Sequence, residues 1–148
     1  MSEPDRAALE RKFNAGMADP VGIVLFADEG TAIGKELVSV VNAFAASSDS
    51  IKVEVHNPEN GKNQRMRDLR VENYPCIVLT KGDFSRIRYY GIPGGYETPA
   101  FADAVVELSS SRTPLSPKAK ASLATVRRRA NIKVFVLTTC PFCPTVVR

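Results

Sequence analysis

Apolar residues recur along this chain in two rhythms. The first is helical. Ala7, Leu9, Phe13 and Met17 mark a short amphipathic helix over 4–17, which Ser2 can cap and whose first turn suits Pro4. Ile33, Leu37, Val40, Val41 and Phe44 repeat the spacing over 32–46, behind an Asp28-Glu29-Gly30-Thr31 turn with N-cap chemistry. Phe101, Val105 and Leu108 share one face of a helix that Thr98 caps. A short polar helix is expected over 62–69. Another runs from Pro117 to about Ala130, capped by Ser116.

The second rhythm is that of strands. Residues 21–27 are a continuous apolar run, as in a strand buried on both faces. Ile51, Val53 and Val55 alternate with Lys52, Glu54 and His56, which predicts a half-buried strand. Residues 76–80 form another buried run, and Lys81-Gly82-Asp83 turns the chain back into an antiparallel strand over 84–90. Residues 132–137 are expected to be a further strand. Two strands joined by a helix form a crossover unit, the next two form a hairpin, and helices can cover both faces. Residues 109–117 are a linker rich in Ser and Pro. The helix and strand after it repeat the opening of the chain, so the sequence reads as one full unit, 1–110, and the beginning of another, 111–148.

Composition narrows the class. With 148 residues, 44% hydrophobic and 24% charged, the chain is that of an ordinary globular protein. No apolar run approaches a membrane span and Met1 leads no signal-peptide pattern, so a cytoplasmic address is expected. The net charge of +4 is mild, and its densest run, Arg127-Arg128-Arg129, reads as a solvated helix end. No interleaved aromatics point to nucleic acid.

Three cysteines are too few for a disulfide scaffold, and in a reducing compartment a close pair is more often catalytic or metal-binding. Cys140-Pro141-Phe142-Cys143 follows the apolar run at 132–137. A Cys-x-x-Cys between a strand and a helix reads as a dithiol redox site. One thiol attacks a disulfide and its neighbour resolves the mixed disulfide. A helix starting near Cys140 would favour its thiolate, with Cys143 one turn inside as the resolving thiol. Pro141 and Pro144 suit the first turn of such a helix, and Pro141 and Phe142 would tune the site.

Other features have plainer readings. Half a zinc site at Cys140 and Cys143 would need Cys76 and His56, which lie far off in the other unit. Cys76 reads as a small buried hydrophobe, and His56 as a surface residue. Gly91-Ile92-Pro93-Gly94-Gly95 lacks the context of a phosphate loop and reads as a turn needing positive φ. Tyr74 either lines a groove or packs.

The order of elements, with Tyr74-Pro75 opening the third strand, resembles the thioredoxin fold: α/β, a central mixed sheet flanked by helices. Arg88-Tyr89-Tyr90-Gly91-Ile92-Pro93-Gly94-Gly95-Tyr96-Glu97 and Val134-Phe135-Val136-Leu137-Thr138-Thr139-Cys140-Pro141-Phe142-Cys143-Pro144 resemble the glutaredoxin-like protein disulfide oxidoreductases of archaea and thermophilic bacteria. Those proteins fuse two thioredoxin folds. The N-terminal region of the flavoprotein component of alkyl hydroperoxide reductase has the same layout. The resemblance implies a cis bond before Pro75 and a redox-active Cys140–Cys143 disulfide with no other cofactor. It also implies protein disulfides as substrates, and a thioredoxin-reductase-like flavoprotein or glutathione as electron donor.

The sequence departs from that family in two ways. The first unit has Asp28-Glu29-Gly30-Thr31-Ala32-Ile33-Gly34 where some relatives carry their own Cys-x-x-Cys. The second unit breaks off before its own remaining strands, so the chain reads as truncated. The expected function is thiol–disulfide oxidoreductase. The alternatives are a redox-silent docking or dimerisation module and the electron-transfer part of a peroxide-reducing system. An unpaired apolar strand at 132–137 would also favour a homodimer.

Overall fold

A computed structural model describes residues 3–147, and the side chains of all of these except residues 3, 4 and 60. The elements, in order, are α1 (Glu3–Gly16), β1 (Val21–Phe26), α2 (Ala32–Ala45) and β2 (Ile51–His56). After a single 3-10 turn at Glu59–Gly61 come α3 (Gln64–Asp68), β3 (Cys76–Lys81), β4 (Phe84–Tyr90) and α4 (Glu97–Ser110). Then follow α5 (Pro117–Ala124) and α6 (Cys143–Val147). The Ser2 cap lies outside the described residues.

The four strands form one mixed sheet in the order β2-β1-β3-β4. β1 runs parallel to β2, with Val21 opposite Ile51, and antiparallel to β3, with Leu25 opposite Ile77. β3 and β4 form the hairpin, turning at Gly82 and Asp83, with Cys76 opposite Tyr90. Side chains alternate across a strand, which explains the unbroken apolar run in β1. Val21, Ile23 and Leu25 face one side, with Ile77 and Leu79, against Phe13 of α1, Leu37, Val41 and Phe44 of α2, and Phe101 and Val105 of α4. Val24 and Phe26 face the other side, with Cys76 and Val78, against Met66, Leu69 and Val71.

An aromatic file crosses the larger core. Phe13 and Phe44 lie 6.2 Å apart, Phe44 and Phe101 5.1 Å, and Phe101 and Tyr89 5.6 Å, the last two pairs edge-to-face. It ends at Tyr89 on β4, one of the side chains near the candidate site. At the opposite end of α4, the buried hydroxyl of Ser109 accepts from the backbone N–H of Ala18 at 3.0 Å and of Asp19 at 3.1 Å, and donates to the Asp19 carbonyl at 2.5 Å. Lys12 of α1 pairs with Asp103 of α4. These contacts tie α4 to α1 and to the loop between α1 and β1.

Several expectations require correction. Ile33 shares the helical spacing of α2 but is 55% exposed, because it lies in the first turn, before the helix reaches the sheet. Val55 is exposed at the end of an edge strand. The helix expected over 62–69 spans only 64–68, and it is less polar than it reads, since Met66 and Leu69 close the second core. Asn63 caps it, accepting from the N–H groups of Arg65 and Met66. α5 ends at Ala124, not near Ala130, and buries nothing. Residues 132–137 do not form a strand: among the described residues none pairs with them, and Ile132, Phe135 and Leu137 are 82%, 92% and 69% exposed. A strand is made by its neighbour, and apolar alternation without one yields only extended chain. No described helix is long and apolar enough to cross a membrane.

Phe44 sits fully buried between Phe13 and Phe101. Phe44→Ala is expected to cost about 3–5 kcal/mol, read from the shift of the urea midpoint at unchanged slope. Ile33→Ala on the same helix is expected to stay within about 0.5 kcal/mol of the parent.

Candidate functional site

The site is built where the first turn of α4 meets the residues around Cys140. The loop between β4 and α4 contains two residues with left-handed backbone, Gly91 (φ +97°) and Gly95 (φ +57°), the conformation that glycine adopts without steric cost. Thr98 does not cap α4; its hydroxyl donates back to the Pro93 carbonyl at 2.9 Å and folds the loop on itself. The helix begins one residue earlier, at Glu97.

Glu97 is the site residue that the sequence reading missed. It is completely buried, and neither carboxylate oxygen has a well-formed hydrogen bond. A signal for it does exist. Glu97, Phe101, Val105 and Ser109 recur every four residues and all four are buried, so Glu97 occupies the core-facing stripe of α4. A carboxylate on such a stripe is expensive to bury and therefore informative.

Opposite it, the Cys140 N–H donates to the Leu137 carbonyl at 2.9 Å and closes a tight turn over Thr138 and Thr139. The Tyr96 N–H donates to the Thr138 carbonyl at 3.0 Å, joining this turn to the loop before α4. α6 begins at Cys143 rather than near Cys140, so Cys143 is its first residue and Pro141 lies in the turn ahead of it. Pro99, Ala100, Asp103, Pro114, Pro144 and Thr145 line an open groove between α4, the linker and α6.

Cys140 and Cys143 are free, partly exposed thiols with opposite tendencies. The Cys140 thiol is more acidic than usual. The main cause is a hydrogen bond from the Cys143 thiol, followed by the backbone N–H groups of Phe142 and Cys143, while burial and the charge of Glu97 oppose them. The Cys143 thiol is less acidic than usual, chiefly because it is the donor in that bond. A helix dipole is not needed for this. α6 has only five residues, and local hydrogen bonds to sulfur create the asymmetry.

Glu97 disfavours both thiolates. The Tyr89 phenol is pushed up to about 12, first by burial, then by the charge of Glu97 and a poorly formed hydrogen bond to it, and last by Cys143. The structure therefore brings together Cys140, Pro141, Phe142 and Cys143 from the C-terminal segment with Glu97 and Tyr89 from the sheet and α4. Phe142 is 79% exposed beside the thiols.

The other sequence-derived residues lie apart from this group. At Asp28–Thr31 the Thr31 hydroxyl donates to the Asp28 carbonyl and accepts from the Gly34 N–H, acting as the cap of α2. The Tyr74–Pro75 bond is cis, and Tyr74 is surface-exposed rather than packed in the core. Cys76 is buried against β1 and β4, and burial pushes its thiol up to about 12. His56 stacks on Phe26 at 5.5 Å and bonds Glu54 at 3.2 Å. Among the described residues no group of three or more His, Cys, Asp or Glu is placed to hold a metal ion. Arg127, Arg128 and Arg129 are exposed beyond the end of α5.

The mixed sheet and its covering helices define a protein of the thioredoxin fold. Solved structures extend the likeness beyond the fold. The alkylhydroperoxide reductase protein AhpF of Enterococcus faecalis superposes with a TM-score of 0.86 at 27% identity, over 99% of this chain and 70% of that one. The N-terminal N/C domain of the same AhpF gives 0.84 at 27% identity, again over 99% and 70%. A protein disulfide oxidoreductase from Aeropyrum pernix gives 0.85 at 25% identity, over 99% of this chain and 64% of that one. No family model and no curated protein matches the sequence.

Two outcomes follow from the electrostatics. Iodoacetamide on the native protein near neutral pH should label Cys140 first and Cys143 more slowly. Cys76 should react only after denaturation, as peptide mass spectrometry of timed samples would reveal. In Glu97→Gln the carboxylate no longer opposes either thiolate, so labelling of both Cys140 and Cys143 should begin at lower pH. A midpoint that stayed put or rose would contradict the placement of that charge.

Proposed function

We propose that this chain is a thiol–disulfide oxidoreductase acting through Cys140 and Cys143. The observation that carries the reading is that one turn brings Cys140 and Cys143 together beside the buried Glu97 carboxylate, with the two thiols pushed in opposite directions. In this reaction the Cys140 thiolate attacks one sulfur of a substrate disulfide. A mixed disulfide forms and the other substrate sulfur leaves as a thiolate. Cys143 then loses its proton to solvent and attacks the sulfur of Cys140. The second substrate thiolate departs, leaving a Cys140–Cys143 disulfide. Two electrons pass to the substrate, and an external reductant restores the dithiol.

Cys143 suits the second role because it stays protonated while it donates to Cys140, and it must lose that proton before it attacks. Phe142 supplies an N–H to the attacking sulfur and an exposed apolar ring beside it. Pro141 holds the turn without adding a competing donor.

On this reading residues 1–110 form one thioredoxin-like unit and 111–148 the opening of a second, which carries the thiols. The substrates are protein disulfides. The reductant is a thioredoxin-reductase-like flavoprotein or glutathione, in the cytoplasm, where thiols stay reduced. Likeness to the AhpF protein of alkylhydroperoxide reductase favours a second reading, an electron-transfer domain of a peroxide-reducing system. The exposed apolar run at 132–137 favours a third, a docking or dimerisation module.

Insulin reduction by dithiothreitol separates the first reading from a silent module. The chain should accelerate the reaction, Cys140→Ser should fall to the background rate, and Cys143→Ser should accumulate the mixed disulfide. A parent protein no faster than dithiothreitol alone would remove the enzyme reading.

A further inference from the structure

The proposed chemistry needs Cys140 to sit in one particular turn, and that turn is not held by its own segment alone. Residues 126–137 ahead of it have no helix or strand, and nearly all are exposed. The turn over Thr138 and Thr139 is tied instead to the loop before α4. The Tyr96 N–H donates to the Thr138 carbonyl at 3.0 Å. This approach requires a glycine at 95. Its φ of +57° is left-handed, and a Cβ there would lie 2.5 Å from the Thr138 oxygen and 3.4 Å from the carbonyl carbon. Both obstacles are backbone atoms, which cannot swing aside as a side chain could. The neighbouring residue is Glu97, so one short peptide grips the turn with its amide and presents the buried carboxylate to the thiols.

We infer that Gly95 and the Tyr96 amide are positioning elements for Cys140: the loop of the first unit clamps the Thr138 carbonyl and thereby sets the cysteine turn over Glu97. The inference deepens the oxidoreductase reading and rests on it. It locates the control of the reactive sulfur in a backbone contact between residues forty-odd positions apart, in a unit that has no Cys-x-x-Cys of its own. The titratable groups facing the two thiols are each other and Glu97, with Tyr89 facing Cys143.

The test is the pH profile of iodoacetamide labelling at Cys140, followed by mass spectrometry on the full chain. Gly95→Ala inserts the Cβ. Gly82→Ala is its control: Gly82 has a matching φ of +54° and nothing within 4 Å of the added carbon, so it brings the same backbone strain without the contact. Tyr96→Pro deletes the N–H, and the residue's φ of −66° already suits proline. It is compared with Tyr96→Ala, which loses the same side chain and keeps the amide.

The labelling midpoint of Cys140 should rise in Gly95→Ala, and in Tyr96→Pro relative to Tyr96→Ala. The rate at neutral pH should drop roughly threefold or more, because the thiolate is the reacting species. Gly82→Ala should keep the parent profile. Parent-like profiles in both clamp variants would overturn the inference. So would a shift in Tyr96→Ala as large as in Tyr96→Pro, which would assign the effect to the phenol ring. Loss of the helical circular-dichroism signal in Tyr96→Pro but not Tyr96→Ala would also overturn it, making the bond a requirement of folding. A parent Cys140 that titrates like an ordinary thiol would instead defeat the oxidoreductase reading itself, which keeps the two failures apart.

Discussion

β1 is apolar on both faces, and a strand of that kind is stable only if both faces and both edges are covered. Backbone groups at its edges must be paired, because an unpaired buried N–H or carbonyl costs about as much as a lost hydrogen bond. β2 and β3 meet that need from opposite sides, one parallel and one antiparallel. The faces are covered by unequal means. Three helices, α1, α2 and α4, close one side with an aromatic file, while the short α3 and its following turn close the other with Met66, Leu69 and Val71. The arrangement leaves the ends of the sheet free for loops, and the loop after β4 is the one that reaches the cysteines.

α4 joins the packing to the chemistry. Its buried stripe holds Phe101 and Val105 in the core, Ser109 at one end and Glu97 at the other. Ser109 is a polar group whose burial is fully satisfied, accepting two backbone bonds and donating one. Glu97 is its opposite, a carboxylate buried without a well-formed partner. Native proteins seldom retain such a group without a reason, since an unsatisfied buried polar atom costs roughly 1–3 kcal/mol or more. Two thiols and a phenol in its electrostatic reach supply one. The same helix is therefore stabilised at Ser109 and strained in its solvation at Glu97, where two thiols and a phenol gather.

The cysteine pair differs from the expected picture in its source of acidity. A helix starting at Cys140 would have lent its dipole to the sulfur; the helix starts three residues later and is five residues long. What remains is local. One thiol donates to the other, and two amides of the turn point at the same sulfur. Hydrogen bonds made to the charged form favour that form regardless of helix length, so the Cys140 thiol is the more acidic of the two without a helix dipole.

Much of this was readable along the chain. The runs at 21–27 and 76–80, the alternation at 51–56 and the spacing of Leu37, Val41 and Phe44 each report local periodicity, and local periodicity is a property of sequence. The Cys-Pro-Phe-Cys spacing likewise places two thiols close together by local sequence alone. Tertiary structure decided the rest. Residues 132–137 have the composition of a strand, but pairing belongs to two segments at once and no described neighbour provides it. Ile33 has the right spacing but the wrong height on its helix. Glu97 drew no reading of its own in the sequence, and only the helix phase puts it in line with Phe101. Gly95 read as a turn residue, and only the approach of the Thr138 carbonyl gave its missing side chain a purpose. Each of these depends on what a distant part of the chain brings within a few ångströms, which no local pattern encodes.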